Sequence, residues 1–318
     1  MRAMTISGAG GPEALALSDV DRPVRVSSEL LVRVVAAGVN PVDAKTRAGR
    51  GSFGAISEFP VVLGQDFSGV VVEAPYAAHP LQPGTEVFGM VPVPRFGGAY
   101  AEYLSVSSLS VVRKPRGLSH VEAAGVPLAA LTAWGMVVET AKAHDGQRIL
   151  IHAGAGGVGH FAIQFAAYFG AYVITTGSTR NLMWLSDLGA NEIVDHTAVR
   201  FDDVVDQVDV VIDLIGNGID ETATRSLRVL RPGGLIITAP SGSWPTMAVD
   251  AKTAGVRATG FQVAPDGSTL AIISRLLDSG DVRVYVDRVF DLEDAAEAHR
   301  AMETGHTRGK LVLNVSAA

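Results

Sequence analysis

The sequence predicts an α/β fold in two parts: a doubly wound parallel sheet in the middle of the chain, and a β-rich part that reads as a partly closed antiparallel barrel. Three observations predict it. From Arg148 onward, short buried apolar runs alternate with helical patterns across short connections, the signature of a parallel sheet. A glycine-rich stretch, Gly154-Ala155-Gly156-Gly157-Val158-Gly159, lies between the first such strand and its helix. The first 120 residues carry short, unevenly spaced apolar runs punctuated by Gly and Pro, which suits a barrel better than an evenly spaced sandwich.

In order, the N-terminus opens in strand-like alternation, and strands follow at 30–35, 70–72, 85–91, 99–104 and 109–112. Asn40-Pro41 reads as a cap followed by Pro at the first helical position, with a helix running to Gly49. Ser119 caps a helix through Val126, and 128–140 is a second, apolar one. Then come strand 149–152, helix 158–169, strand 172–176, helix 181–188, strand 192–195, strand 208–215, helix 221–230 stopped by Arg231-Pro232-Gly233-Gly234, and strand 235–239. Helices at 269–277 and 292–302 and a strand at 310–315 are expected to return to the first part.

At 318 residues the chain can hold two cores. A net charge of −7, with no run of five like charges, argues against a nucleic-acid or anionic-membrane surface. The apolar stretch 208–215 is interrupted by Asp and far too short to span a bilayer. The N-terminus lacks an apolar segment followed by a small-residue cleavage site, so a cytoplasmic location is expected. There is no cysteine, which excludes disulfides, thiolate catalysis and every Cys-ligated zinc site.

Strand, glycine turn and helix together mark a dinucleotide-binding Rossmann unit. Glycine lets the backbone approach a pyrophosphate, and the helix N-terminus offers N–H groups and partial positive charge to it. Gly154, Ala155, Gly156, Gly157 and Val158 are the expected contacts. NAD-binding units place an acid at the end of the second strand, about 20 residues after the motif starts. Here that strand runs into Ser178, Thr179 and Arg180, hydroxyls and a guanidinium suited to a phosphate monoester, so the expected cofactor is NADPH. His196, after the next strand, reads either as a further phosphate contact or as a surface histidine.

Further motifs recur in a fixed order: Gly10-Gly11-Pro12-Glu13, Ala36-Ala37-Gly38-Val39-Asn40-Pro41-Val42-Asp43, Gly64-Gln65-Asp66-Phe67-Ser68-Gly69, Gly97-Gly98-Ala99-Tyr100-Ala101-Glu102-Tyr103, Pro127-Leu128-Ala129-Ala130-Leu131-Thr132-Ala133, Leu230-Arg231-Pro232-Gly233-Gly234 and Arg308-Gly309-Lys310-Leu311-Val312. Over nearly its whole length the chain resembles the medium-chain dehydrogenase/reductase superfamily, in its zinc-free quinone oxidoreductase and enone reductase branch. The resemblance implies a GroES-like catalytic domain from 1–120 and 263–318, a Rossmann NADPH-binding domain from 121–262, and a homodimer.

In the zinc alcohol dehydrogenases of that superfamily a Cys and a Gly-His-Glu motif hold the metal. The matching positions read Val39 or Asn40, and Gly64-Gln65-Asp66, so no metal site is expected and no Lewis acid polarises an alcohol. Hydride addition to the β-carbon of a conjugated carbonyl or quinone fits, since the charge delocalises onto an oxygen that donors can hold. Lys45, in an Asp-Ala-Lys sequence resembling enone and alkenal reductases, is the candidate donor, and Lys45 and Asn40 are expected to hold the carbonyl oxygen. Asn40 reads as helix cap, as contact to cofactor or substrate, or as both, and Asp43 as a helix-start charge.

By the same resemblance Thr132, Phe261 and Val263 lie near the nicotinamide, while the backbone at Leu214 and Ile215, after the buried strand ending at Asp213, reads as lining the cofactor. Lys310 reads as a solvated lysine. The substrate pocket is expected between the parts, walled by 49–59 and 93–98. The alternative reading is a non-catalytic NADPH-binding structural or sensor protein.

Overall fold

The computed structural model describes residues 1–92 and 98–316. The chain begins with β1 (Arg2–Ile6), β2 (Ala16–Asp19) and the long β3 (Glu29–Val39), followed by helix α1 (Pro41–Arg47). Next come β4 (Val61–Val62), β5 (Asp66–Glu73), β6 (Glu86–Met90), β7 (Tyr103–Ser107), β8 (Val111–Arg113) and the helices α2 (His120–Ala124) and α3 (Pro127–Trp134). The nucleotide-binding part holds β9 (Arg148–Ile151), α4 (Gly159–Tyr168), β10 (Tyr172–Gly177), α5 (Leu182–Asp187), β11 (Glu192–Asp195), α6 (Phe201–Val204), β12 (Val208–Asp213), α7 (Thr222–Ser226), β13 (Leu230–Thr238), α8 (Met247–Ala254) and β14 (Arg257–Gly260). The chain closes with α9 (Gly267–Ser279), β15 (Val286–Asp291), α10 (Ala295–Glu303) and β16 (Lys310–Asn314).

Contacts divide the chain into Met1–Leu131 with Ala264–Ala318, and Thr132–Val263. The first unit thus takes in residues beyond His120, because Ala124 of α2 packs on Ala36 and Val312. Its main sheet runs β15-β16-β3-β5-β6-β8, with β7 also on β3, and a three-stranded sheet runs β2-β1-β4. β3 changes partners along its length: Glu29–Arg33 pair with β7, and Ala36–Val39 with β16. A strand buried on both faces loses the in/out alternation, which is why eleven residues read as a six-residue run. The core gathers Leu30, Val32, Phe67, Val87, Leu104 and Leu311.

The second unit is a parallel sheet in the order β11-β10-β9-β12-β13-β14. This is the doubly wound order in which ligands sit at the carboxyl ends of the strands, where the order reverses between β9 and β12. Leu150, Ile174, Val211 and Ile236 fill its core. Two local findings differ from the sequence pattern. The expected helix over 221–230 is only α7, because Asp220 and Glu221 have positive φ, and Arg231–Gly234 form the irregular start of β13, where the register shifts. The apolar helix expected at 128–140 is α3 followed by a π-helical turn, Gly135–Thr140. No helix among the described residues is long and apolar enough to cross a membrane.

Candidate active site

In the second unit, β9 leads through His152 into the glycine turn and α4. His152 is buried, and burial pushes its imidazole down to about 4, so it is neutral. Its tautomer follows from its neighbours. Ser226 Oγ donates to Thr222 O at 2.7 Å and so accepts from His152 Nε2–H at 2.9 Å, leaving Nδ1 to accept from the Thr176 hydroxyl at 3.3 Å. Thr176 Oγ1 in turn accepts the Ala153 N–H at 3.1 Å. This chain fixes the entry to the turn, where Ala153 has φ +52.

The glycines that follow are required by contact. A Cβ on Gly154 would stand 2.1 Å from Thr175 Oγ1, and one on Gly159 2.3 Å from Ala153 O. The turn from Gly154 to Val158 therefore has the closeness of backbone that a pyrophosphate cradle needs, at the start of a ten-residue helix. His152 escaped the sequence reading because its partners lie 24 and 74 residues away.

Asp213, fully buried at the end of β12, accepts the N–H groups of Ile215 and Gly216 on Oδ1 at 3.0 and 2.8 Å, and the Thr238 hydroxyl on Oδ2 at 2.7 Å. One carboxylate thereby shapes the Leu214-Ile215-Gly216 backbone. Thr132 is buried on α3. Phe261 is half-buried against Gly135, where a Cβ would lie 2.2 Å from its ring, and Val263 ends the unit, also half-buried.

The ends of β10 and β11 bring Ser178, Thr179, Arg180 and His196 to one edge. Gly177 pairs with Asp195, and the His196 N–H donates to Gly177 O at 3.1 Å. Thr179 donates its hydroxyl to Asp195 Oδ2 at 2.5 Å. Asp195 is an acid that the sequence reading passed over, since only strand pairing brings it to this edge.

In the first unit, Lys45 is exposed on α1, whereas Asn40 is 1 % exposed. Asn40 Nδ2 donates to Asp66 Oδ2 at 2.9 Å, and its Oδ1 accepts from Lys310 Nζ. Lys310 is not the solvated lysine expected. It is 3 % exposed, donates also to Val39 O at 3.1 Å, and lies 3.5 Å from Asp66 Oδ2. The register Leu311↔Val39 brings it there, beside the start of α1. Burial raises the Asp66 carboxyl and lowers the Lys310 ammonium, and each charge partly offsets the other's shift. Asp66 Oδ1 accepts the Leu128 N–H at 2.7 Å.

Asp43 is equally buried. It accepts the Asn40 N–H at 2.9 Å and the Tyr100 hydroxyl at 3.3 Å, and burial lifts its carboxyl to about 7. Arg47 donates to His299 Nδ1 at 3.3 Å, which leaves Nε2–H to donate to Tyr100 Oη at 3.1 Å, so every donor in this chain points toward Asp43. A surface groove of about 380 Å³ lined by Val20, Ser57, Pro60, Val62 and Tyr103 contains neither Asn40 nor Lys45. Of the expected pocket walls, 93–97 lie outside the described residues.

Residues 26–116 match the family model of the alcohol dehydrogenase GroES-like domain, and residues 188–313 that of zinc-binding dehydrogenases. The residues here do not fit a zinc ion. The chain has no cysteine, and an ammonium already stands against Asn40 and Asp66, the positions that resemblance aligns with metal ligands. Among the described residues, no three His, Cys, Asp or Glu side chains converge.

The chain is similar to 2-methylene-furan-3-one reductase of Solanum lycopersicum, 35% identical over 325 residues, covering 99% of this chain and 79% of that protein. It is similar, again at 35% identity, to the NADPH-dependent alkenal/one oxidoreductase, chloroplastic, of Arabidopsis thaliana, covering 98% of this chain and 79% of that one. The solved quinone oxidoreductase of Coxiella burnetii superposes with a TM-score of 0.93 at 36% identity, over 99% of both chains.

Proposed function

The chain belongs to the zinc-free quinone oxidoreductase branch of the medium-chain dehydrogenase/reductase superfamily, and on that premise we propose that it reduces α,β-unsaturated carbonyls or quinones with NADPH as hydride donor. The observation that carries the reading is the buried Lys310 ammonium between Asn40 and Asp66. A fixed cation among the would-be metal ligands leaves no Lewis acid for an alcohol or simple ketone, which favours an acceptor that spreads its own developing charge. Conjugation does this.

When bound, NADPH supplies the hydride. Lys45, exposed on α1, holds the substrate oxygen as negative charge grows on it, and the α-carbon takes its proton from solvent. Asn40, anchored at both polar ends, sets the start of α1, and its second Nδ2 hydrogen is the part of it that a ligand can take. The Gly154–Val158 turn takes the pyrophosphate, Ser178, Thr179, Arg180 and His196 the 2′-phosphate, and Thr132, Leu214, Ile215, Phe261 and Val263 the nicotinamide. Cytoplasmic residence and a homodimer complete the reading; β14, at the end of its sheet, supplies an edge on which a second copy can pair.

The test is NADPH absorbance with a panel of 2-alkenals, enones and ortho-quinones, with NADH as control. Lys45→Ala is expected to lower kcat/KM for enones by about 10²-fold, as loss of an oxyanion donor does elsewhere. Unchanged kcat/KM would remove Lys45 from the mechanism. Tight NADPH binding without oxidation by any acceptor would favour a non-catalytic role.

A further inference from the structure

The end of β10 lacks an acid, yet the adjacent strand supplies one. Parallel pairing sets Gly177 against Asp195, and the His196 N–H donates to Gly177 O at 3.1 Å, so the carboxyl ends of β10 and β11 are joined side by side. Asp195 Oδ2 accepts the Thr179 hydroxyl at 2.5 Å. Its Oδ1 accepts both the N–H and the hydroxyl of Thr197, at 2.9 and 2.6 Å. These bonds hold the carboxyl below the usual range, so it is charged at neutral pH.

Two consequences follow for an anion placed at 178–180. The hydroxyl protons of Thr179 and Thr197, which a phosphate monoester would use, already go to Asp195. A full negative charge also sits one side chain from Thr179, where a dianion would gain from cations only. An acid at the end of the second strand discriminates against the 2′-phosphate in NAD-binding units; here a charge of the same sign reaches the same edge from the third.

We propose that Asp195 is a specificity-determining residue for the cofactor: its carboxylate opposes a 2′-phosphate at the Ser178, Thr179, Arg180 edge and limits the preference for NADPH over NADH. The proposal rests on the NADPH reading of that edge and adds to it. Arg180 and His196 favour the phosphate, Asp195 works against them, and the observed preference is the difference.

The experiment compares full-length wild type with Asp195→Asn, which removes the charge and keeps one side-chain oxygen, able to accept from either Thr179 or Thr197. It measures kcat/KM for NADPH and NADH, and inhibition by adenosine 2′,5′-bisphosphate and by 5′-AMP. The expected result is a rise of about three- to tenfold in the NADPH-to-NADH ratio, the size of one exposed charge acting on a dianion across a few ångströms. The rise comes through KM with kcat unchanged, and adenosine 2′,5′-bisphosphate tightens by a like factor while 5′-AMP does not.

An unchanged ratio overturns the proposal. So does an equal change for both cofactors and both nucleotides, which is what a merely structural role in the turn would produce. Arg180→Ala, run in parallel, tests the underlying reading separately: if wild type does not prefer NADPH and Arg180→Ala leaves the ratio where it was, that reading falls, while the Asp195→Asn ratio still decides the role of Asp195.

Discussion

Lys310 directs its ammonium to Asn40 Oδ1, Val39 O and Asp66, and Asp66 spends its other oxygen on the Leu128 N–H. A buried pair satisfied on both sides is roughly neutral in stability, whereas removing one member leaves a bare charge and costs several kcal/mol. Asp43, next to that pair, has no such cation of its own, and its Oδ1 has no partner among the described residues. Desolvation therefore raises its carboxyl from 3.8 to about 7, the charge of Asp66 adds to the rise, and the Asn40 N–H, Lys310 and Tyr100 oppose it. A raised folded pKa means that stability is complete below the unfolded value near 4 and is lost as pH climbs through 7, by about 4 kcal/mol at 1.4 kcal/mol per pH unit. His299 and His152, lowered to about 3 and about 4, work the other way and cost stability as pH falls below 6.5. Asp43→Asn isolates the first effect. The melting temperature of the variant relative to wild type should climb by several degrees between pH 5 and pH 8, and a pH-independent difference would mean that Asp43 stays charged throughout.

Among the elements, the glycine turn separates two uses of the same residue type. Gly154 faces inward: a Cβ there would meet Thr175 Oγ1 of β10 at 2.1 Å and Ile163 of α4 at 2.9 Å. Gly156 meets only Ala153 O at 3.3 Å, so a methyl there is nearly tolerated by the protein and would project from the turn instead. Gly154→Ala should therefore lower the cofactor-free melting temperature, with a cost of about 1–3 kcal/mol from overpacking. Gly156→Ala should leave that melt near wild type and raise KM for the cofactor by tenfold or more, since it blocks backbone approach to the pyrophosphate. Thermal melts without cofactor, set beside KM, distinguish the two; equal melts would show that the turn relaxes around either methyl. Motif and context made this element readable from the sequence, because its cause is local. α8, β14 and β15 were not readable: β14 is Arg-Ala-Thr-Gly and β15 is Val-Asp-Arg-Val-Phe-Asp, so neither carries a sustained apolar run or a period-2 pattern, and both exist because a neighbouring strand supplies the ladder. The π-helical turn after Trp134 was hidden for a related reason, since a change of hydrogen-bond register leaves the apolar composition unchanged.

For the whole molecule, what could be read early and what could not divide by range along the chain. The alternation from Arg148 to Thr238 and the absence of cysteine needed only neighbours or a count; the first led to the parallel α/β sheet, and the second excluded Cys-ligated zinc. The charges that decide chemistry came together only through pairing across long separations: Lys310 reaches Asn40 across 270 residues, and Arg47 reaches His299 across 252. That first contact bears directly on metal dependence. A divalent ion at Asn40 and Asp66 would have to displace a buried ammonium that is hydrogen-bonded on the spot, and it would find no thiolate to hold it. Prolonged treatment with EDTA or 1,10-phenanthroline is therefore expected to leave both kcat/KM for an enone and the melting temperature unchanged, and added Zn²⁺ to restore nothing. Saturating NADPH in the same melts provides the positive control, since a ligand at a hundred times its Kd stabilises the folded state by about 2.7 kcal/mol. A chelator-induced loss of activity that Zn²⁺ reverses would show that Lys310 yields its place to a metal, and the argument from delocalised charge to conjugated substrates would fall with it.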